Sequence, residues 1–174
     1  MIRDQEIERL VNYIKGLGLK VVFSSKKSDY SALWYLDNSQ ITICKSKNVS
    51  KIETILSLLH ELGHAVHNIH EKDRKVDEKF EDALYRLEEA EVLEIDSEKR
   101  HRKTLLKNEI GGSRYWHSIY KETNMKFPIW KLDAAMEFDL WIYEEFFETG
   151  EYPNAKDKIL KNKEIQRKHR PRNG

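Results

Sequence analysis

The run LLHELGHAVHNIH, residues 58–70, places four histidines and one glutamate in thirteen positions. His60, Glu61 and His64 form an HExxH pattern. Residues i and i+4 of a helix lie one turn apart on one face. Two imidazoles at that spacing can reach one zinc ion at about 2.0–2.1 Å. Glu61 points about 100° around the helix from His60. It therefore does not share the ion with the pair, but reaches the water that zinc activates, as a general base. Ile55, Leu58, Leu59, Leu62 and Val66 make the helix largely buried. His and Glu there are costly unless satisfied, and a metal satisfies them. Gly63 costs about 1 kcal/mol against alanine inside a helix, which predicts close packing by another element.

A catalytic zinc takes three protein ligands and keeps one open position. One reading of the third ligand stays local. His70 follows His60 at the spacing of HExxHxxGxxH, but His67 stands where that pattern turns on glycine. The helix then continues and carries His70 more than about 10 Å along the axis from His60. Met125, in TNMKFP, is a poor Met-turn for such a site. The other reading takes an acid from the next helix. On a wheel of about 100° per residue, Phe80, Ala83, Leu84, Leu87 and Ile95 cluster on one face. Glu91 falls near its middle and Glu88 at its edge, while Glu89 points away. A carboxylate inside an apolar stripe needs a partner. The expected ligand set is His60, His64 and Glu91, with Glu88 as the alternative to Glu91.

The rest of the chain frames this motif. A length of 174 residues suits one domain, read here as residues 1–150 followed by a basic, partly disordered tail over 151–174. Hydrophobic residues are 39% and charged residues 35%, and net charge is +1. Nothing global points to nucleic acid or a membrane surface, and no apolar run approaches the ~18 residues of a span. The first residues, MIRDQEIERL, lack a signal-peptide core. The single cysteine, Cys44, excludes an internal disulfide framework and reads as a small core residue. These features point to a cytoplasmic protein.

Residues 2–16 read as a helix stopped by Gly16 and Gly18. LKVVFSS (19–25), SALWYLD (31–37) and QITICKS (40–46) read as strands, the last two as a hairpin turning at Asp37–Asn38–Ser39. Asn48 or Ser50 caps the motif helix, 51–70. A third helical pattern covers 77–107, and Gly111–Gly112 reads as a break. Residues 113–123 are a short helix or irregular, and 129–148 form an amphipathic helix ending at Gly150. The fold class is α+β: an N-terminal helix, a small three-stranded sheet, the HExxH helix packed on a Glu-bearing helix, then further helices.

The run LLHELGHAVH (58–67), the preceding helix and strand–hairpin–helix order, and a glutamate within EEAEV (88–92) resemble the short gluzincin-like zinc metallopeptidases of the ImmA/IrrE type, over about residues 1–97. The resemblance implies one Zn²⁺ held by His60, His64 and Glu91, with Glu61 as catalytic base. It also implies hydrolysis of peptide bonds in an intracellular protein or peptide substrate, often a regulator such as a repressor.

Other residues carry secondary expectations. His67 shares the face of His60 and His64 and either lines the cleft or bonds a carboxylate such as Glu53. Tyr115, His117 and Tyr120 are candidates to stabilise an oxyanion. Trp34 and Tyr35 alternate faces of their strand. If the 40–46 strand is an exposed edge, an extended peptide can add to it. The 129–148 helix reads as core or a partner surface. The basic tail offers at most weak contact with nucleic acid. The enzyme reading stands beside two others: a zinc-bound, non-catalytic interaction or regulatory module, and a DNA- or repressor-directed regulator acting through the tail and the 129–148 helix.

Overall fold

A computed structural model of the chain describes residues 5–24, 32–35, 39–44, 50–71, 83 and 95–171. Helix α1 (Gln5–Gly16) buries Leu10 and Ile14, one turn apart. It gives way to a strand through Gly18, whose φ of 79° is a left-handed value that residues bearing a Cβ resist. Strands β1 (Lys20–Ser24), β2 (Ala32–Tyr35) and β3 (Gln40–Cys44) form one sheet in the order β1-β3-β2. β3 runs parallel to β1, with Val21 opposite Ile41, and antiparallel to β2, with Ala32 opposite Ile43. Ser39 enters β3 with φ 47°; Asp37 and Asn38 lie outside the described residues. The architecture is the expected α+β class.

β3 is the central strand, and Ile41, Thr42, Ile43 and Cys44 are all buried on it. Consecutive burial is what coverage of both faces produces. The condition for adding a peptide to this strand, an exposed edge, is not met over Gln40–Cys44, where β3 is paired on both sides. β1 is an outer strand, and its Val22 and Phe23 are exposed. The side chains of Trp34 and Tyr35 lie outside the described residues.

The chain divides into two compact units: residues 1–71 with 111–126, and residues 72–110 with 127–174. In the first unit, α1, the sheet and α2 (Lys51–Glu71) are joined by a short helix, α4 (Trp116–Glu122). Ile55, Leu58, Leu59 and Leu62 of α2 share its core with Leu10, Ile41, Trp116 and Ile119. Polar contacts fasten the segment around α4 to α1: Tyr13 donates to Glu122 at 3.0 Å, and the Lys126 backbone N–H donates to Glu6 at 2.8 Å.

Helix α3 (Ile95–Ser113) begins in the second unit and runs unbroken through Gly111 and Gly112, ending in the first. The glycine pair is thus not the break it was expected to be. The expected helix over 77–107 is observed from Ile95 onward; except for Ala83, residues 77–94 lie outside the described residues. In the second unit, α5 (Ile129–Thr149) is closed by Gly150 at φ 81°. Arg102 donates to the last-turn carbonyls of Phe146 and Phe147, at 3.2 and 2.8 Å. Leu105 and Phe146 pack with Ala83.

The segment expected to be a partly disordered tail contains a helix, α6 (Ala155–His169). Asn154 caps it, accepting from Lys156 and Asp157 N–H at 3.0 Å each. Ile165 is buried, and Glu137 of α5 accepts from Lys168 at 2.6 Å and His169 at 2.7 Å. Lys, Arg and Gln are good helix formers, so the basic composition suits a capped helix. No helix among the described residues is long and apolar enough to cross a membrane.

Candidate metal centre

Helix α2 starts with a reciprocal cap. The Glu53 N–H donates to Ser50 Oγ at 3.3 Å, and the Ser50 N–H donates to Glu53 Oε2 at 2.7 Å. Ser50 thus settles the choice between Asn48 and Ser50. Its hydroxyl and N–H together hold the Glu53 carboxyl below its ordinary value. Glu53 is consumed in this cap. It also stands fourteen residues before His67 on one unbroken helix, about 21 Å away along the axis. The expected pairing of His67 with Glu53 is therefore corrected.

From the cap the helix continues without interruption through His70 to Glu71. His60 and His64 fall on one face, and their Nε2 atoms approach to 3.2 Å. Two nitrogens of a tetrahedral zinc at 2.0–2.1 Å are separated by about 3.3 Å. The rings meet edge to face, with centroids 4.7 Å apart. His60 also lies edge-on to Trp116, at 5.8 Å. His70 does not turn back toward the pair. It is exposed and stacked on Tyr115 at 5.5 Å, with ring planes 9° apart. The continuing helix is the reason, as His67 in place of glycine requires.

Gly63 is buried, and the close neighbour expected of it is present. A Cβ there would stand 2.6 Å from the carbonyl oxygen of Gly112 and 2.9 Å from the Trp116 indole. The reverse approach is just as close. A Cβ on Gly112 would stand 2.7 Å from His64 Nδ1, and one on Gly111 would strike the His67 ring. Both positions need glycine because histidine rings occupy the space their side chains would take. His67 is buried against Gly111, with Tyr115 at 6.1 Å.

Glu109 is carried on the same unbroken helix, three residues before Gly112 and hence on the same side. Its carboxylate is buried, with 6% residue exposure. One ligand atom each from His60, His64 and Glu109 all lie within 4.8 Å of one another, close enough to hold a metal ion. Two imidazoles and a carboxylate form a donor set that suits zinc. Glu61, half-buried, immediately follows His60 on α2.

Glu91 and Glu88 lie outside the described residues. Glu109 was missed by sequence reasoning because the helix was ended at 107, ahead of the glycine pair. The available signal was an acid one turn after Leu105 and one turn before Gly112. Among the oxyanion candidates, Tyr115 sits against His67 and His70. His117 is half-buried on α4. Burial, and then the charge of Glu6, push the Tyr120 phenol up, which places Tyr120 toward α1.

On α5, Tyr143 donates a hydrogen bond to Glu109. Burial first, and then the Glu109 charge, push its phenol well above the ordinary tyrosine value. No protein-family model, curated protein or solved structure matches the chain.

Proposed function

We propose that the protein is a zinc-dependent metallopeptidase that hydrolyses peptide bonds in a protein or peptide substrate, with His60, His64 and Glu109 as ligands and Glu61 as general base. The observation that carries the reading is the convergence of these three ligand atoms within 4.8 Å, with the glutamate of HExxH directly beside His60. Bound there, zinc would supply Lewis acidity toward a scissile carbonyl and lower the pKa of a water in its open position. Glu61 takes the proton of the attacking water and delivers it to the leaving amine nitrogen. His60 and His64 face each other through Nε2, so each imidazole must be neutral at that atom to bind a metal.

Metal quantification and hydrolysis of casein and a mixed fluorogenic peptide pool test this reading. Glu61→Gln is expected to retain zinc and lose hydrolysis. Zinc retained with hydrolysis unchanged would refute the peptidase role and favour a non-catalytic zinc module. Glu109→Ala is expected to lower zinc content, and Glu91→Ala to leave it unchanged. The opposite pattern would move the third ligand to Glu91.

A further inference from the structure

Glu109 is almost completely buried, and a buried carboxylate must have its lone pairs engaged. Metal coordination through one oxygen leaves the second to be satisfied by protein. Tyr143 meets that need: its phenol makes a side-chain hydrogen bond to Glu109. Its ring is itself held in place. Tyr152, in the turn between α5 and α6, meets Tyr143 edge to face at 6.2 Å. Tyr152 is in turn stacked on Phe146 at 4.2 Å, with the planes 2° apart. Phe146 lies three residues after Tyr143 on α5, and so on the same side of that helix. The Tyr143 ring thus packs on Tyr152, which is itself stacked on Phe146.

We propose that Tyr143 is the positioning residue for the third metal ligand: its O–H holds one oxygen of Glu109 and leaves the other directed at the ion. The inference rests on the reading of His60, His64 and Glu109 as a metal site. Partners of this kind fix the orientation of a ligand before the ion arrives, and their loss typically weakens metal binding 10–100-fold. A lone packing role for Tyr143 makes no such demand, because phenylalanine fills the same volume.

Zinc affinity, measured by competition with a chromophoric chelator, tests this with the full chain carrying Tyr143→Phe, Glu109→Ala, or both. The far-ultraviolet circular dichroism of each metal-free variant checks that it folds. Tyr143→Phe is expected to keep the fold and bind zinc about tenfold more weakly. In the Glu109→Ala chain the same change is expected to have no further effect, because the ligand it positions is gone. Wild-type affinity in Tyr143→Phe, with Glu109→Ala impaired, would overturn the positioning role and leave the metal site standing. An equal loss from Tyr143→Phe in both backgrounds would also overturn it, assigning Tyr143 to general packing. Undiminished affinity in Glu109→Ala would overturn the site itself, and the inference with it.

Discussion

Replacing Gly63 with alanine tests the close approach beside the candidate metal centre. Inside an exposed helix the change stabilises by about 1 kcal/mol, because glycine is the poorer helix former. Here the new Cβ would stand 2.6 Å from the Gly112 carbonyl oxygen and 2.9 Å from two atoms of the Trp116 indole. Ordinary contact begins near 3.4 Å, so about 0.8 Å must be recovered from packed neighbours. The first neighbour is backbone within a helix, and the second is a side chain only 2% exposed. Neither yields as the tip of a flexible side chain does. Overpacking of this kind costs about 1–3 kcal/mol, and rigid neighbours on two sides place it at the upper end. Subtracting the propensity gain leaves a net loss of about 2 kcal/mol. With a urea m-value of about 2 kcal/mol/M, the midpoint of the metal-free chain is expected to fall by about 1 M with m unchanged. Gly16→Ala is the control, since a Cβ there meets nothing within 4 Å. A midpoint for Gly63→Ala equal to or above that of the unaltered chain would refute the packing of Gly112 and Trp116 on α2.

Gly112→Ala places a Cβ 2.7 Å from His64 Nδ1. Displacement of the ring beyond the roughly 0.5 Å that a binding constellation tolerates is expected to weaken zinc binding at least about tenfold, read by chelator competition; unchanged affinity would contradict the contact. Ser50→Ala removes one half of the α2 cap and is expected to cost about 1 kcal/mol in urea denaturation, while the Glu53 carboxyl rises toward its ordinary value in an NMR titration. Glu137 is held below its ordinary carboxylate value, first by the hydrogen bond from Lys168 and then by that from His169. A carboxyl lowered by folding contributes stability that is present above its unfolded value, 4.5, and lost as pH falls through the lower folded value. Glu137→Gln is therefore expected to lose about 1 kcal/mol at pH 7 and to show a shallower loss than the unaltered chain below pH 4.5; parallel pH–stability curves would refute this docking of α6.

The fold class was legible because its signals are local. Period-2 and period-3.6 patterning marked α1, the three strands, α2 and α5 to within a few residues of their observed limits. The antiparallel pairing of β2 with β3 and the glycine after α5 were also legible. The pairing order was not legible. Nothing local tells that β1 lies parallel to β3 and leaves it central, since that is decided by a crossover and by what covers each face. The α6 helix was hidden by composition, because one buried Ile165 among basic residues gives almost no apolar period. In the candidate site, the pairing of His60 with His64 was legible from spacing alone. Gly63 was legible as a contact, though not its partner.

The glycine pair is where local reading failed, and the failure explains the missed glutamate. Two adjacent glycines lower helix propensity by about 2 kcal/mol against alanine, so a local argument ends the helix before them. The penalty is overridden because α2 presents large rings on its buried face. Trp116 and the Gly112 carbonyl fill the space left open at Gly63, while the His64 and His67 rings fill the space left open at Gly112 and Gly111. Histidine on one helix and glycine on the other are complementary in volume, and neither choice makes sense without its counterpart. Once the pair is helical, the rest follows from periodicity. Glu109 precedes Gly112 by three positions and takes the same side of α3, the side already pressed against His64. The closeness that glycine permits seats the His64 and His67 rings against the end of α3, and Glu109 stands one turn before that contact.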